Sequence, residues 1–171
     1  MNVAFTQAAE GLPLREFTVE DIRRMMEAEI FTEDENFELV EGELVVMAAK
    51  GIAHERLKSA LVVGLARALP DGLLLGVETT LRLTAKTLLE PDIAIFPKRV
   101  FDNPVSGFAN LEPADALFVI EVAHSSLGYD KGLKARLYAR HRVRDYIVRE
   151  KHRVLFVGYG ETDVWAHDGK Y

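Results

Sequence analysis

The stretch Leu117-Phe118-Val119-Ile120-Glu121-Val122-Ala123 decides how the chain folds. Its apolar, β-branched residues leave no polar side to face water. A run this short and this apolar reads as a strand covered on both faces, in the middle of a sheet with layers on either side. Glu121 contradicts that reading locally. A carboxylate in a dry strand costs a few kcal/mol unless something compensates it.

A second run, LLEPDIAIF at 88–96, repeats the anomaly. Asp92 follows Pro91, and proline cannot donate to a strand ladder, so it marks an edge, a strand start or a bulge that can re-aim the next side chain. Glu90, two positions earlier, shares the face of Asp92 if the pleat is regular. Three situations tolerate such acids: pairing with Arg or Lys, exposure at strand ends, or convergence on a divalent cation.

Moving outward, Thr18 and Asp21 in TVED form a capping-box start for a helix whose apolar face carries Ile22, Met25, Met26 and Ile30. FELVEGELVVMA reads as two strands turning at Glu41-Gly42. The segment 54–69 reads as a helix, with Leu57, Leu61, Leu65 and Leu69 on one stripe and Pro70-Asp71-Gly72 as its stop. Strands are expected near 73–84, 88–96, 116–123, 144–148 and 153–159, a helix near 130–141, a long mobile loop over 97–115 and a short C-terminal tail. Residues 1–12 read as a flexible arm, and 13–171 as a single domain. The order is that of a mixed α/β (α+β) fold, a central sheet with helices on its faces.

In DKGLKARLYARH, at about 100° per residue, Leu133, Leu137, Tyr138 and His141 share a stripe with Lys134 at its centre, while Arg136 and Arg140 lie on the other side. Lys134 is either a snorkelling lysine with a wet ammonium or a cation held beside the two acids. His54 opens the 54–69 helix on the inward stripe, as a satisfied core or cap residue or as a site group. Glu38 lies between Phe37 and Leu39, whereas Glu41 and Glu43 flank the turn.

With 171 residues there is enough chain for one core. The absence of cysteine excludes disulfides, thiolate zinc sites and cysteine nucleophiles. No apolar run nears the roughly 20 residues of a membrane span, and MNVAFTQAAEG lacks the pattern of a secretory signal, so the expected compartment is cytoplasmic. Net charge is −6, but residues 130–153 hold nine of the 21 Lys and Arg and only three of the 27 Asp and Glu. That basic segment is either a solvated helix face or a local field for a polyanion.

FELVEGELVVM, AHERL, EPDIAIF, LFVIEVAHSS and YDKGLKARLYARHRVRDYIV stand in an order and spacing that resembles the Uma-type (Uma-two) restriction endonuclease family of the PD-(D/E)XK superfamily, from about Phe17 to Val148. The resemblance implies a restriction-endonuclease-like central mixed sheet flanked by helices, with an αβββαβ core. It implies a catalytic set of Asp92, Glu121, Lys134, Glu38 and His54. Lys134 stands for the lysine moved from the strand to the next helix, since Ala123 fills the usual position. Mg²⁺ or Mn²⁺ is then held by Asp92, Glu121 and the Val122 carbonyl. DNA is the expected substrate, Arg136, Arg140, Arg142 and Arg144 are candidate contacts to its backbone, and a homodimer suits an enzyme that cuts both strands. The family's EYW is replaced by Asp145-Tyr146-Ile147, a departure that bears on substrate contacts and oligomer packing. Two rival classes remain: a catalytically inactive nuclease-fold domain that binds nucleic acid or protein, and a small-molecule hydrolase using the carboxylates as acid and base.

Overall fold

A computed structural model describes residues 14–32, 35–101, 111–123, 125–150, 153–159 and 164–170, the last two strands by their backbone. The chain enters through helix α1 (Val19–Glu27). Its capping box is complete: Thr18 Oγ1 accepts from the Asp21 N–H at 3.1 Å, and the Thr18 N–H donates to Asp21 Oδ2 at 2.9 Å. Strands β1 (Phe37–Val40) and β2 (Glu43–Val46) pair antiparallel around Glu41 and Gly42, both at positive φ. Gly42 is required there twice over. Its φ is +93°, and a Cβ would meet the Cβ of Glu16 at 2.6 Å. Helix α2 (Ile52–Ala68) follows.

The two long strands expected over 73–84 and 88–96 each break in two. The first becomes β3 (Leu73–Val77) and β4 (Leu81–Thr84), with Glu78 at φ 52° between them. The second becomes β5 (Thr87–Leu89) and β6 (Ile93–Pro97), interrupted at Glu90-Pro91-Asp92. The breaks divide the chain between two sheets. The small one has the order β2-β1-β5-β4. The large one, mixed as expected, has the order β10-β9-β8-β7-β6-β3. It contains β7 (Phe118–Val122), β8 (Asp145–Glu150), β9 (Arg153–Tyr159) and β10 (Val164–Lys170), and β7 and β8 run parallel. β10 replaces the expected tail; its pairing with β9 supplies an order that its polar residues do not announce.

Between β7 and β8 the chain forms α3 (Leu127–Tyr129), a π-helical stretch (Asp130–Lys134) and α4 (Ala135–Arg140). Tyr138, Tyr146, Leu137, Val119, Phe96 and Leu81 fill the main core, while Ile22 and Val19 of α1 pack on Leu39 and Leu88 of the small sheet. The leucine stripe of α2 is only partly buried, and the residues of α2 that are buried are His54 and Lys58, a polar pair one turn apart. Residues 98–101 of the expected 97–115 loop form a 3₁₀ turn, and Leu111 bridges to Leu81. The expected arm at 1–12 and the rest of that loop, 102–110, lie outside the described residues.

Candidate active site

The register explains why the two anomalous acids meet. β6 pairs Ile93 with Ile120 of β7, so Asp92 and Glu121 are the next residues on adjacent antiparallel strands. Side chains in that position point to one face. The Asp92 N–H donates to Glu121 Oε2 at 3.4 Å, and the Val122 N–H donates to Asp92 Oδ2 at 2.8 Å. Pro91, which has no N–H of its own, ends the ladder at this point and leaves Asp92 to turn toward β7.

From the facing helix, Lys134 completes the centre. Its Nζ lies 2.9 Å from Glu121 Oε1, 2.9 Å from Glu38 Oε1 and 3.9 Å from Asp130 Oδ1. All four residues are buried. Lys134 is therefore no snorkelling lysine: its ammonium is inside. The π-helical stretch is part of the reason. The Asp130 carbonyl accepts from the Ala135 N–H, an i→i+5 bond, and from the Tyr146 hydroxyl at 3.0 Å. Tyr138 donates to Glu121 Oε1 at 3.1 Å and Tyr129 to Glu38 Oε2 at 3.0 Å, so each acid has a tyrosine as well as the lysine. The Glu90 N–H also donates to Glu38 Oε1 at 3.0 Å.

One ammonium faces three buried carboxyls. Burial pushes the Glu121 carboxyl up to about 8, against the pull of Lys134 and with Glu38, Asp92 and Asp130 adding to the rise. Burial also raises Asp130, although Lys134 and Ser126 oppose it. Lys134 is itself raised; burial opposes its charge, but Glu121, Glu38 and Asp130 outweigh that. The shifts agree once the cluster is taken as a unit: the lysine stays charged, and burial favours the protonated form of Glu121.

His54 reaches the same centre from the first turn of α2, its Nε2 3.1 Å from Asp92 Oδ2. Asp92 Oδ1 is buried and makes no hydrogen bond; Lys50 Nζ stands 3.3 Å from it. A cavity of about 500 Å³, lined from both sheets, opens onto Glu38, Lys50, His54, Glu78, Asp92, Glu121 and Lys134. Five residues expected at one site from the sequence are thus brought together. Arg136, Arg140, Arg142 and Arg144 are not. They are exposed, none lines the cavity, and Arg140 pairs with Glu41 at 2.7 Å. Lys50, Lys58, Glu78, Tyr129, Asp130 and Tyr138 were not visible as site residues. Asp130 and Tyr138 lie four residues either side of Lys134, a spacing that carries the signal; Lys50 and Glu78 carry none.

A family model described as "putative restriction endonuclease", Uma2, matches residues 19–165. The chain belongs to the Uma2 family. No curated protein matches it. A crystal structure described as "a putative nuclease belonging to DUF820 from Anabaena variabilis ATCC 29413" shares its fold, with a TM-score of 0.66 and 14% identity over 90% of this chain and 85% of that one. The two chains share a fold, and Uma2 membership places this chain in a family described as "putative restriction endonuclease".

The donors present suit a hard divalent cation. Asp92 Oδ1 faces the cavity without a hydrogen bond, and Glu121 Oε2 has one long bond from the Asp92 N–H. Val122, whose carbonyl is expected to join the set, also donates its N–H to Asp92. Among the described residues no three His, Asp or Glu side chains already converge as a metal cage. Lys134 draws Glu38 and Glu121 to itself by their Oε1 atoms, which leaves Oε2 on Glu121; on Asp92, His54 and the Val122 N–H take Oδ2, which leaves Oδ1 beside Lys50. No described helix is long and apolar enough to cross a membrane.

Proposed function

We propose that this Uma2 protein is a metal-dependent endonuclease that hydrolyses DNA phosphodiester bonds, with Mg²⁺ or Mn²⁺ as cofactor. The observation that carries the reading is the buried, hydrogen-bond-free Asp92 Oδ1 facing a cavity beside Glu121 and Lys134. In this reading Asp92 and Glu121 hold the ion, which when bound polarises a phosphodiester oxygen and lowers the pKa of a bound water.

The chain's own residues do the rest. Tyr138 fixes the Glu121 carboxylate, and His54 with the Val122 N–H fixes Asp92, so Oδ1 is the oxygen left to bind. Lys134, kept charged by its acids, stabilises negative charge developing on the phosphorus oxygens. Glu38, oriented by Tyr129 and by the Glu90 N–H, positions the lysine and can hold a water. The product with a 5′-phosphate is the one the superfamily resemblance implies. Cutting both strands with one centre per chain calls for two copies, and a homodimer is part of the proposal.

Supercoiled plasmid incubated with the full chain and Mg²⁺ or Mn²⁺ tests it. Conversion to nicked and linear DNA is expected, with a loss of about 10²-fold or more in Asp92→Ala. Intact plasmid with the wild-type chain sinks the reading and leaves the inactive nuclease-fold domain, binding nucleic acid or protein, in its place; undiminished cleavage by Asp92→Ala sinks the assignment of Asp92 as the ion's ligand.

A further inference from the structure

A row of alternating charges leads from the surface to Asp92. Lys58 Nζ lies 2.9 Å from Glu55 Oε1 and 2.6 Å from Glu78 Oε1. The same Glu78 oxygen lies 2.5 Å from Lys50 Nζ, which is in turn 3.3 Å from Asp92 Oδ1. The two lysines differ in freedom. Lys58 is on the inward face of α2 with its side chain 7% exposed; Lys50 is on the irregular segment before α2 with its side chain 35% exposed. Glu78 sits at φ 52°, a conformation costly for a non-glycine residue, and its N–H donates to the Asp92 carbonyl at 3.2 Å. Glu78 is thus tied to the backbone of Asp92 at one end and to Lys58 at the other, and Lys50 is the movable member.

We propose that Lys50 is an exchangeable cation: its ammonium stands at Asp92 Oδ1 until a divalent ion takes that place, and then remains tethered to Glu78 at the cavity, where it meets a phosphate oxygen of the substrate. This rests on the reading of Asp92 and Glu121 as the metal site. An ammonium and a divalent ion cannot both lie against one carboxylate oxygen without strong repulsion. Lys50 also shields a buried oxygen that has no hydrogen bond of its own, so the ion-free protein is spared an uncompensated acid. The ligand class follows from position. A second cation beside the ion suits the charge spread over a phosphodiester.

Calorimetric titration of the full chain with Mn²⁺ tests the exchange. Lys50→Met keeps the apolar stem and removes the competitor; it is expected to bind Mn²⁺ about tenfold more tightly than wild type, equivalent to about 1.4 kcal/mol of relieved repulsion. Lys50→Arg, which keeps the charge, should stay near wild type. So should Lys86→Met, which removes the same charge at the β4–β5 turn, where Lys86 pairs with Glu16. Lys50→Gln gives the same comparison if the Met variant does not fold. Equal or weaker binding by Lys50→Met and Lys50→Gln overturns the exchange and leaves the metal site standing. Tightening by Lys86→Met to the same degree also overturns it, as a general field effect. Absence of Mn²⁺ binding in every protein overturns both the exchange and the metal-site reading.

Discussion

Glu121 is tolerated in a dry strand because it is not alone: Lys134, Tyr138 and the Asp92 N–H all reach its carboxyl. The tolerance is incomplete, which gives a pH signature. Its carboxyl titrates at about 8 in the folded chain against an ordinary value of 4.5. Between those values the native state holds a proton that the unfolded state has lost, so stability falls as pH rises through that window. The Glu78 carboxyl, held down to about 2 by Lys50 and Lys58 despite the burial that opposes it, changes only below the window. Thermal melts without divalent ion should therefore show a falling Tm from about pH 5 to about pH 8, and Glu121→Gln should flatten that slope. A wild-type Tm that rises through the same range contradicts the raised Glu121 carboxyl. Asp92, Glu121 and Lys134 were legible in the sequence because each breaks a local rule: an acid inside a strand, or a lysine on a buried stripe. Lys50 and Glu78 break none. Their importance comes from contacts 28 residues apart and from a positive φ that no residue type there announces.

Among the elements, the π-helical stretch sets the lysine against the acids. Its i→i+5 turn accommodates one residue more than an α-helix and carries both Asp130 and Lys134 inward. Deleting Gly132 should restore a regular α-turn and rotate one side of the stretch against the other by about 100°. Cleavage is expected to fall by about 10²-fold or more, as small misplacements of reacting groups do, while far-UV circular dichroism stays unchanged. Full activity in the deletion variant would show that the turn is incidental. Helix α1 and the first hairpin were legible because their signals are local: a capping box and a turn glycine. The strand lengths were not. Leu73–Thr84 reads as continuous, and only the backbone at Glu78 sends its two halves to different sheets. Pro91 did announce its break, and the break is what frees Asp92.

Over the molecule as a body, the basic segment and the cavity are distinct places. Glu38, Asp92, Glu121 and Asp130 line the cavity with Lys134, and the basic segment presents Arg136, Arg140, Arg142 and Arg144 to solvent, none of them lining it. Against a DNA backbone they would give affinity without sequence preference. Arg142→Ala with Arg144→Ala should weaken DNA binding similarly on unrelated duplexes and reduce the slope of log affinity against log salt by about 0.9 for each phosphate no longer neutralised. An unchanged slope would assign those residues to ordinary solvation. That surface, like the centre, depends on one packing solution: β7 and β8 parallel, with the α3, π-helical and α4 segment connecting them.

Asp92 and Glu121 sharing one divalent ion under Lys134 is the arrangement from which the proposed chemistry follows. Diffraction from Mn²⁺-soaked crystals, recorded at the manganese absorption edge, reads it out without relying on activity. The expected result is an anomalous peak at about 2.1 Å from Asp92 Oδ1 and a Glu121 carboxylate oxygen, with Lys50 withdrawn from Asp92. A fully occupied Mn²⁺ elsewhere, or no peak beside Asp92 at saturating Mn²⁺, would contradict it.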